Sequence, residues 1–268
     1  MKKNSLNSFT GFGIVALAAA ACSPHVDGEK PNIVLILADD MGYSDIGCFG
    51  SEISTPNIDR LASQGLRMTQ FYNASRSCPT RASLLTGLYQ HQAGVGDMVN
   101  NLGYPAYQGF LNDKCVTIAE VLRQNGYSTL MSGKWHVGSI PEVHPLKRGF
   151  DRYFGLIEGA GSYYKPIAYR PNMKPVRWML DDKDFFPPDT GFYFTDAVGD
   201  YAVEFLKKRN TADKPFFLYM AFTAPHWPLH ALPEDIEKYR GKYMAGWDKL
   251  REERYNRMLE MGIIDGTV

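Results

Sequence analysis

The apolar run NIVLILA at residues 32–38 constrains the fold more than any other feature of the sequence. Its Ile, Val and Leu content and its length predict a β-strand. The absence of alternating polar residues predicts that both faces of this strand are buried. Strands of this kind occur in parallel sheets that are covered by helices. The run ends at Asp39 and Asp40, which places two adjacent carboxylates at the end of a buried strand.

Helices and strands alternate along the rest of the chain. Two more buried strands are predicted in YSTLMSGKWH (residues 127–136) and FFLYMAFTAPHWP (residues 216–228), and FYNAS (residues 71–75) is expected to be a short strand. The segment 138–191 is rich in proline and aromatic residues and is expected to form long loops. This order predicts an α/β fold with a mostly parallel sheet. Helices are predicted at residues 56–65, 79–86, 117–125, 194–209 and 243–261.

The first 21 residues predict a signal peptide, because two lysines precede an apolar run at residues 9–21. As a helix this run would span about 20 Å, less than the roughly 30 Å hydrocarbon core of a bilayer. Three alanines before Cys22 resemble a bacterial lipobox, which predicts a lipidated Cys22 as the mature N-terminus and a linker at residues 22–30. The alternative is an ordinary secretory signal. Both predict an exported protein, in the periplasm or attached to the outer membrane. Only the lipoprotein alternative predicts contact with a membrane, through the lipid on Cys22.

The charge balance and the cysteine content exclude several classes of protein. The chain has 29 basic and 29 acidic residues, and this neutral balance argues against a nucleic-acid-binding protein. With Cys22 lipidated, Cys48, Cys78 and Cys115 remain. Their odd number gives no disulfide framework, and their spacing matches no zinc site.

Polar residues follow three of the predicted strands. Because ligands of open α/β sheets bind outside the carboxyl ends of the strands, these side chains are expected to meet in one site. Paired carboxylates supply the hard oxygen ligands that suit Ca²⁺ or Mg²⁺, although adjacent aspartates also form turns. The residues are Asp39 and Asp40 after the first strand, Lys134 and His136 after the second, and His226 after the third.

The stretch SRSCPTRASLLTG at residues 75–87 brings a nucleophile to such a site. Pro79 fits the first turn of a helix, so the hydroxyl and thiol side chains before it lie at the positive end of the helix dipole, where anions bind. Arg81 adds a cationic fork suited to a tetrahedral oxyanion. A nucleophile, a helix N-terminus, an arginine and a metal site together predict transfer of a phosphoryl or a sulfuryl group.

The same stretch resembles the sulfatase signature, in which a cysteine or serine is followed by any residue, proline, any residue and arginine, and later by threonine and glycine. Ser77 takes the key position of this pattern, Cys78 is its variable residue, and Thr86 and Gly87 close it. The resemblance runs from Pro31 to the C-terminus and implies an alkaline-phosphatase-like fold, with a mostly parallel mixed sheet flanked by helices on both faces. Other stretches similar to arylsulfatases, in the same order, are PNIVLILADDMGYSDIGCFG, TPNIDRLASQG, LTGLYQHQAGVG, SGKWHVG and APHWPLH.

The resemblance also implies a modification and a metal. Ser77 is expected to be oxidised to formylglycine by a dedicated radical maturase. Asp39, Asp40 and the group at position 77 are expected to bind Ca²⁺, with Mg²⁺ as the less favoured ion. The hydrated aldehyde would attack the sulfur of a sulfate ester, whose source is a sulfated small molecule or a sulfated glycan.

Four further side chains receive roles from the same resemblance. Arg81 supports the formylglycine and the metal site, and His136 positions the hydrated aldehyde. Lys134 and His226 contact the sulfate or the leaving oxygen. The implied activity is that of a sulfuric ester hydrolase of the arylsulfatase type.

The chain departs from the family pattern after His226. Sulfatases complete the calcium site with an Asp-Asn pair, and residues 227–268 contain none. We therefore expect residues 31–268 to be an incomplete N-terminal catalytic domain of a fragment or truncated product, with little activity alone. Two other functions stay open: a phosphatase or phosphonate monoester hydrolase of the same superfamily, and a non-catalytic lipoprotein remnant that binds sulfated glycans.

Overall fold

The computed structural model describes residues 29–168, 170–209 and 214–266. The predicted signal peptide, Cys22 and most of the linker at residues 22–30 lie outside the described residues. Within the described ranges, no helix has the length and apolar character needed to cross a membrane. Residues 31–268 group into one compact unit.

A six-stranded sheet is the centre of this unit. In space the strands run in the order β1, β6, β2, β3, β4, β5. The pairs β1–β6, β6–β2 and β2–β3 are parallel, whereas β3–β4 and β4–β5 are antiparallel, which confirms a mostly parallel mixed sheet. The strands are β1 (Ile33–Asp39), β2 (Ser128–Gly133), β3 (Arg152–Leu156), β4 (Trp178–Leu180), β5 (Lys183–Asp184) and β6 (Phe216–Pro225).

Helices lie on both faces of the sheet, as the resemblance implies. Residues of α2 and α3 pack into one apolar cluster with the first face, and residues of α4 pack into a second cluster with the other face. Alternate residues of β6 serve the two clusters, since Phe217 and Tyr219 belong to the first and Leu218 to the second. The helices are α1 (Pro56–Gln64), α2 (Ser77–Thr86), α3 (Ile118–Gln124), α4 (Phe194–Lys208), α5 (Pro233–Glu237) and α6 (Trp247–Glu260).

The start of α3 shows how directly some of these elements follow from the sequence. Thr117 accepts a hydrogen bond from the backbone N–H of Glu120 at 3.1 Å, and the Glu120 carboxylate accepts one from the backbone N–H of Thr117 at 2.6 Å. This capping box satisfies two backbone donors that would otherwise lack partners at the helix N-terminus.

The prediction that both faces of β1 are buried is wrong for this structure. Ile33, Leu35 and Leu37 pack against the first apolar cluster, but Val34 is 50% exposed and Ile36 is 54% exposed on the other face. The physical reason is the position of β1 at the edge of the sheet, because α4 packs against β6, β2 and β3.

Three other features of the secondary structure differ from the predictions. The expected loops at residues 138–191 contain β3, β4 and β5, which are short and depend on pairing with distant strands. Residues 71–75 form no strand. Helix α2 begins at Ser77, two residues before Pro79, so that proline lies inside the first turn. Proline is tolerated there because the N–H it lacks has no partner within the helix.

Candidate active site

The carboxyl end of β1 carries a buried ion cluster. Asp39 accepts a short hydrogen bond from the Nζ of Lys134, and its Oδ1 lies 3.3 Å from Nη2 of Arg81. All three side chains are almost fully buried. Burial alone would raise the pKa of Asp39, but the charges of Lys134 and Arg81 outweigh it and lower this pKa. The carboxylate therefore stays ionised between two cations.

Lys134 reaches this cluster because the chain leaves the sheet sharply after β2. Gly133 has a φ of 119°, and a Cβ at this position would lie 2.0 Å from the carbonyl oxygen of Ala221 in β6. Only glycine allows this approach. The backbone N–H of Lys134 then bonds to the same carbonyl at 2.7 Å. Burial, with the nearby charge of Arg81, lowers the pKa of Lys134 to about 8, although Asp39 opposes the shift.

Ser77 lies at the centre of the site. Its Oγ is 3.1 Å from Nδ1 of His136, donates to Oδ1 of Asp39 at 3.3 Å, and accepts from Nε of Arg81 at 3.3 Å. The first turn of α2 positions this oxygen where backbone N–H groups and the helix dipole favour an anion. The hydroxyl thus meets a base, a carboxylate and a cation at one point.

Cys78, the neighbour of Ser77, faces the apolar core and not the site. It is fully buried, and its Sγ lies 3.4 Å from Sδ of Met98. Burial raises the pKa of the Cys78 thiol to about 11. Because the thiolate is the reactive form of cysteine, this residue is chemically inert at neutral pH.

Arg81 connects the parts of the site. Besides its contacts with Ser77 and Asp39, its Nη1 donates to the carbonyl of Lys134 at 3.0 Å and to the hydroxyl of Tyr219 at 3.3 Å. Tyr219 is a site residue that the sequence did not indicate, because it reads as one more apolar position of β6. Its alternation with Leu218 was the available signal, since that pattern places Tyr219 on the α2 side of the sheet.

Backbone strain concentrates in the site. Five described residues other than glycine have a positive φ, and Asp40 (61°), Ser75 (58°) and His136 (55°) are three of them. Such conformations cost free energy and are typical of functional positions. His136 also fits tightly, because a Cβ at Gly159 would lie 2.4 Å from its Nε2. Burial, with the charges of Lys134 and Arg81, lowers the pKa of His136 well below its usual range, so the ring is neutral.

His226 and Asp40 form the rim of the site. The Nε2 of His226 lies 3.5 Å from Oδ2 of Asp40, and the two side chains are 25% and 62% exposed. The Nδ1 of His226 contacts the carbonyl oxygen of Trp227, which can only accept, so Nδ1 carries the proton. The other ring nitrogen, Nε2, faces Asp40.

A cavity of about 270 Å³ lies between the end of β1 and the start of α2, with Asp39, Asp40 and Ser77 in its lining. Their oxygens have the hard donor chemistry that suits Ca²⁺ or Mg²⁺. Ca²⁺ takes about six to eight oxygen ligands, so these three side chains supply only part of a coordination sphere. In the described part of the chain, no group of three or more His, Cys, Asp and Glu side chains could hold a metal ion. The donors thus fit a hard cation in kind but do not complete its site.

Comparison with known proteins assigns the family. The family model described as Sulfatase matches residues 31–262. The chain belongs to the sulfatase family. This confirms the resemblance noted in the sequence. A Klebsiella aerogenes arylsulfatase is 37% identical over 93% of this sulfatase chain and 54% of its own length. An uncharacterized sulfatase of Schizosaccharomyces pombe is 40% identical over 92% of the chain and 47% of its own length. The chain spans about half the length of these relatives.

Solved structures agree with this assignment. A structure of Ps i-CgsB in complex with a neocarrahexaose matches this sulfatase with a TM-score of 0.68 and 34% identity, over 87% of this chain and 53% of the other. A structure of the protein BT4656 in complex with its substrate D-glucosamine-2-N,6-O-disulfate matches with a TM-score of 0.64 and 30% identity. The match covers 80% of this chain and 38% of BT4656. The fold of this chain is therefore the one found in these two structures.

Proposed function

We propose that this sulfatase chain hydrolyses sulfate esters and that the oxygen at position 77 is the nucleophile. The observation that carries the proposal is the position of the Ser77 Oγ, within 3.3 Å of Nδ1 of His136, Oδ1 of Asp39 and Nε of Arg81. These groups orient the nucleophile and place positive charge beside it. Positive charge fixed in advance at this point stabilises the negative charge of a transferring sulfuryl group.

Formylglycine made from Ser77 by a radical maturase is part of the proposal. When present, formylglycine would supply, as its hydrate, one hydroxyl as the nucleophile toward sulfur and a second hydroxyl that allows sulfate to be released. Nδ1 of His136 and Nε of Arg81, which contact the Ser77 Oγ, would hold the modified residue. His226 can bring a proton to the leaving oxygen from Nε2 when the ring is an imidazolium, protonated on both nitrogens, since the Nδ1 proton stays bonded to the Trp227 carbonyl.

A divalent cation, most readily Ca²⁺, belongs to the same proposal. Asp39, Asp40 and the oxygen at position 77 would hold it, and its charge would neutralise sulfate oxygens when it is bound. Lys134 keeps Asp39 ionised and in place beside Ser77. Substrate oxygens or water would supply further oxygen ligands.

Sulfated carbohydrates are the proposed substrate class, and export is the proposed location. The names of similar proteins support the substrate class, because they include an N-acetylgalactosamine-6-sulfatase of Canis lupus familiaris, 36% identical over 86% of this chain and 46% of its own length. The neocarrahexaose and disulfated glucosamine complexes point the same way. The lysines and apolar run of the first 21 residues support export.

Hydrolysis of matched esters by the purified chain tests the proposal. The chain is produced with a radical maturase, supplied with Ca²⁺, and given para-nitrophenyl sulfate, para-nitrophenyl phosphate and a sulfated carrageenan oligosaccharide. We expect slow sulfate release, because the described residues supply only part of a calcium site, and we expect Ser77→Ala to abolish it. Faster cleavage of the phosphate ester would favour a phosphatase, and binding of the oligosaccharide without any cleavage would favour a non-catalytic role.

A further inference from the structure

The turn that carries His226 lies beyond the regular part of the sheet. Strand β6 ends at Pro225, so no strand neighbour holds the backbone of His226. Its N–H closes a turn by donating to the carbonyl of Thr223 at 2.9 Å. The position of the His226 imidazole therefore depends on side chains that contact this turn.

The hydroxyl of Tyr163 holds the turn by hydrogen bonds. Its hydroxyl lies 2.7 Å from the carbonyl oxygen of His226 and 3.0 Å from the carbonyl oxygen of Thr223. Tyr163 is 2% exposed, and Thr223 is 3% exposed. A single buried hydroxyl thus contacts both ends of the turn that presents His226. Burial raises the pKa of Tyr163 far above neutral, so the hydroxyl keeps the proton that it donates.

His230 fixes Tyr163 in turn. The Nδ1 of His230 accepts a hydrogen bond from the backbone N–H of Tyr163 at 3.2 Å, and the two rings pack edge to face at 5.6 Å. The hydroxyl of Tyr193 bonds to the carbonyl of His230 at 3.0 Å, and that of Tyr164 bonds to the carbonyl of Ala231 at 2.9 Å. Tyr163, Tyr164 and Tyr193 therefore anchor the chain that follows β6.

We propose that Tyr163 is a positioning residue for His226: its hydroxyl fixes the backbone turn so that Nε2 of His226 faces the site. The inference rests on the proposed function only in giving His226 a part in catalysis. Tyr163 itself is buried away from solvent and acts through the turn. Loss of its hydroxyl removes the donor to the His226 carbonyl and one of the two donors to the Thr223 carbonyl, which frees the turn to move. Small displacements of a catalytic group reduce rates strongly.

Two variants separate this role from a general effect on stability. Tyr163→Phe keeps the ring and removes only the hydroxyl. Tyr164→Phe is the matched control, because it removes a tyrosine hydroxyl from a carbonyl five residues after His226. We expect Tyr163→Phe to lower kcat on para-nitrophenyl sulfate by about 10- to 100-fold with little change in KM. Tyr164→Phe should stay within about twofold of wild type in both constants.

The imidazole nitrogen signals of His226, measured by NMR on the same proteins, give a readout that needs no turnover. Loss of these signals in His226→Gln assigns them. Wild type and Tyr164→Phe should show one set with Nδ1 protonated, and Tyr163→Phe should show shifted or doubled signals. If Tyr163→Phe does not fold, His230→Ala loosens Tyr163 while keeping its hydroxyl, and should shift the same signals.

Unchanged His226 signals in a folded Tyr163→Phe protein would overturn the inference, even if that variant were less stable. The same holds if Tyr164→Phe changes the signals as much as Tyr163→Phe does. A wild-type protein that cleaves no sulfate ester would contradict the proposed function instead, and the NMR comparison would still decide the role of Tyr163.

Discussion

Ser77 and Cys78 are neighbours in the first turn of α2, and Ser77 faces the candidate site whereas Cys78 faces the apolar core. The Ser77 Oγ lies 3.1 Å from Nδ1 of His136 in the site, whereas the Cys78 Sγ lies 3.4 Å from Sδ of Met98 in the core. Two side chains that differ by one atom therefore have separate roles. One is available for chemistry, and the other fills space.

Single-atom deletions at these neighbouring positions should have opposite effects. Ser77→Ala should lower sulfate ester hydrolysis by more than about 1000-fold, because it removes the nucleophilic oxygen. Cys78→Ala should keep the activity and cost roughly 1 kcal/mol of unfolding free energy, because it leaves a small void. Kinetic assays and urea unfolding of both variants check this. Loss of activity in Cys78→Ala at unchanged stability would contradict it.

Substitutions of the adjacent residues Asp39 and Asp40 should differ in their effect on the unfolding free energy. Asp39→Asn removes the counter-charge of buried Lys134 and Arg81 and should cost about 3 to 5 kcal/mol. Asp40→Asn should change the unfolding free energy by less than about 0.5 kcal/mol, since this side chain is 62% exposed and asparagine tolerates the positive φ there. Urea unfolding at neutral pH compares them. Equal losses of stability would show that the Asp39 cluster is not the buried charge network described.

The attachment of α6 should weaken in acid. Arg254 of α6 donates to both carboxylate oxygens of Glu52, at 2.8 Å and 2.7 Å. Burial alone would raise the pKa of Glu52, but the hydrogen bonds and charge of Arg254 outweigh it and hold this pKa below its usual value. Because the folded pKa is the lower one, the contribution of the pair is complete above the unfolded value and is lost as pH falls through the folded value.

Glu52→Gln measures this contribution. The variant should be less stable than wild type by about 1 to 2 kcal/mol at neutral pH, and the difference should shrink toward about pH 3. Asp248→Asn, which breaks the exposed pair with Arg251, is the control and should change little at either pH. A stability gap for Glu52→Gln that persists unchanged in acid would contradict the assignment.

The capping box of α3 can be tested by comparing a disruptive substitution of Thr117 with a conservative one. Thr117 Oγ1 accepts from the Glu120 N–H and donates to the carbonyl of Arg148 at 2.8 Å. Thr117→Ala loses both bonds and should cost about 1 to 2 kcal/mol. Thr117→Ser keeps both and loses only a methyl group, so its cost in thermal unfolding should be the smaller. The reverse order would show that methyl packing, and not capping, stabilises this helix end.

Local patterns made part of this structure predictable. The Thr117 and Glu120 box is encoded three residues apart, and the apolar runs identify β1, β2 and β6 without any partner. The rule that ligands gather at the carboxyl ends of strands brings Asp39, Lys134 and His136 together, and the structure places all three around Ser77.

Relationships between distant residues were not predictable in the same way. Strand β3 is five residues long and is defined by pairing with β2, so the sequence alone left it as loop. The exposure of Ile36 depends on how far α4 extends over the sheet. The bond from Tyr163 to the His226 carbonyl joins positions 63 residues apart. No local periodicity records these contacts, because each depends on the finished packing.

The mass of the peptide that contains residue 77 tests the central claim most directly. The chain is produced together with a radical maturase, digested, and measured by mass spectrometry beside a Ser77→Ala control. The account predicts a peptide lighter than the unmodified sequence by two hydrogen atoms, with the change located at Ser77. An unmodified serine in all copies of a protein that still hydrolyses sulfate esters would contradict it.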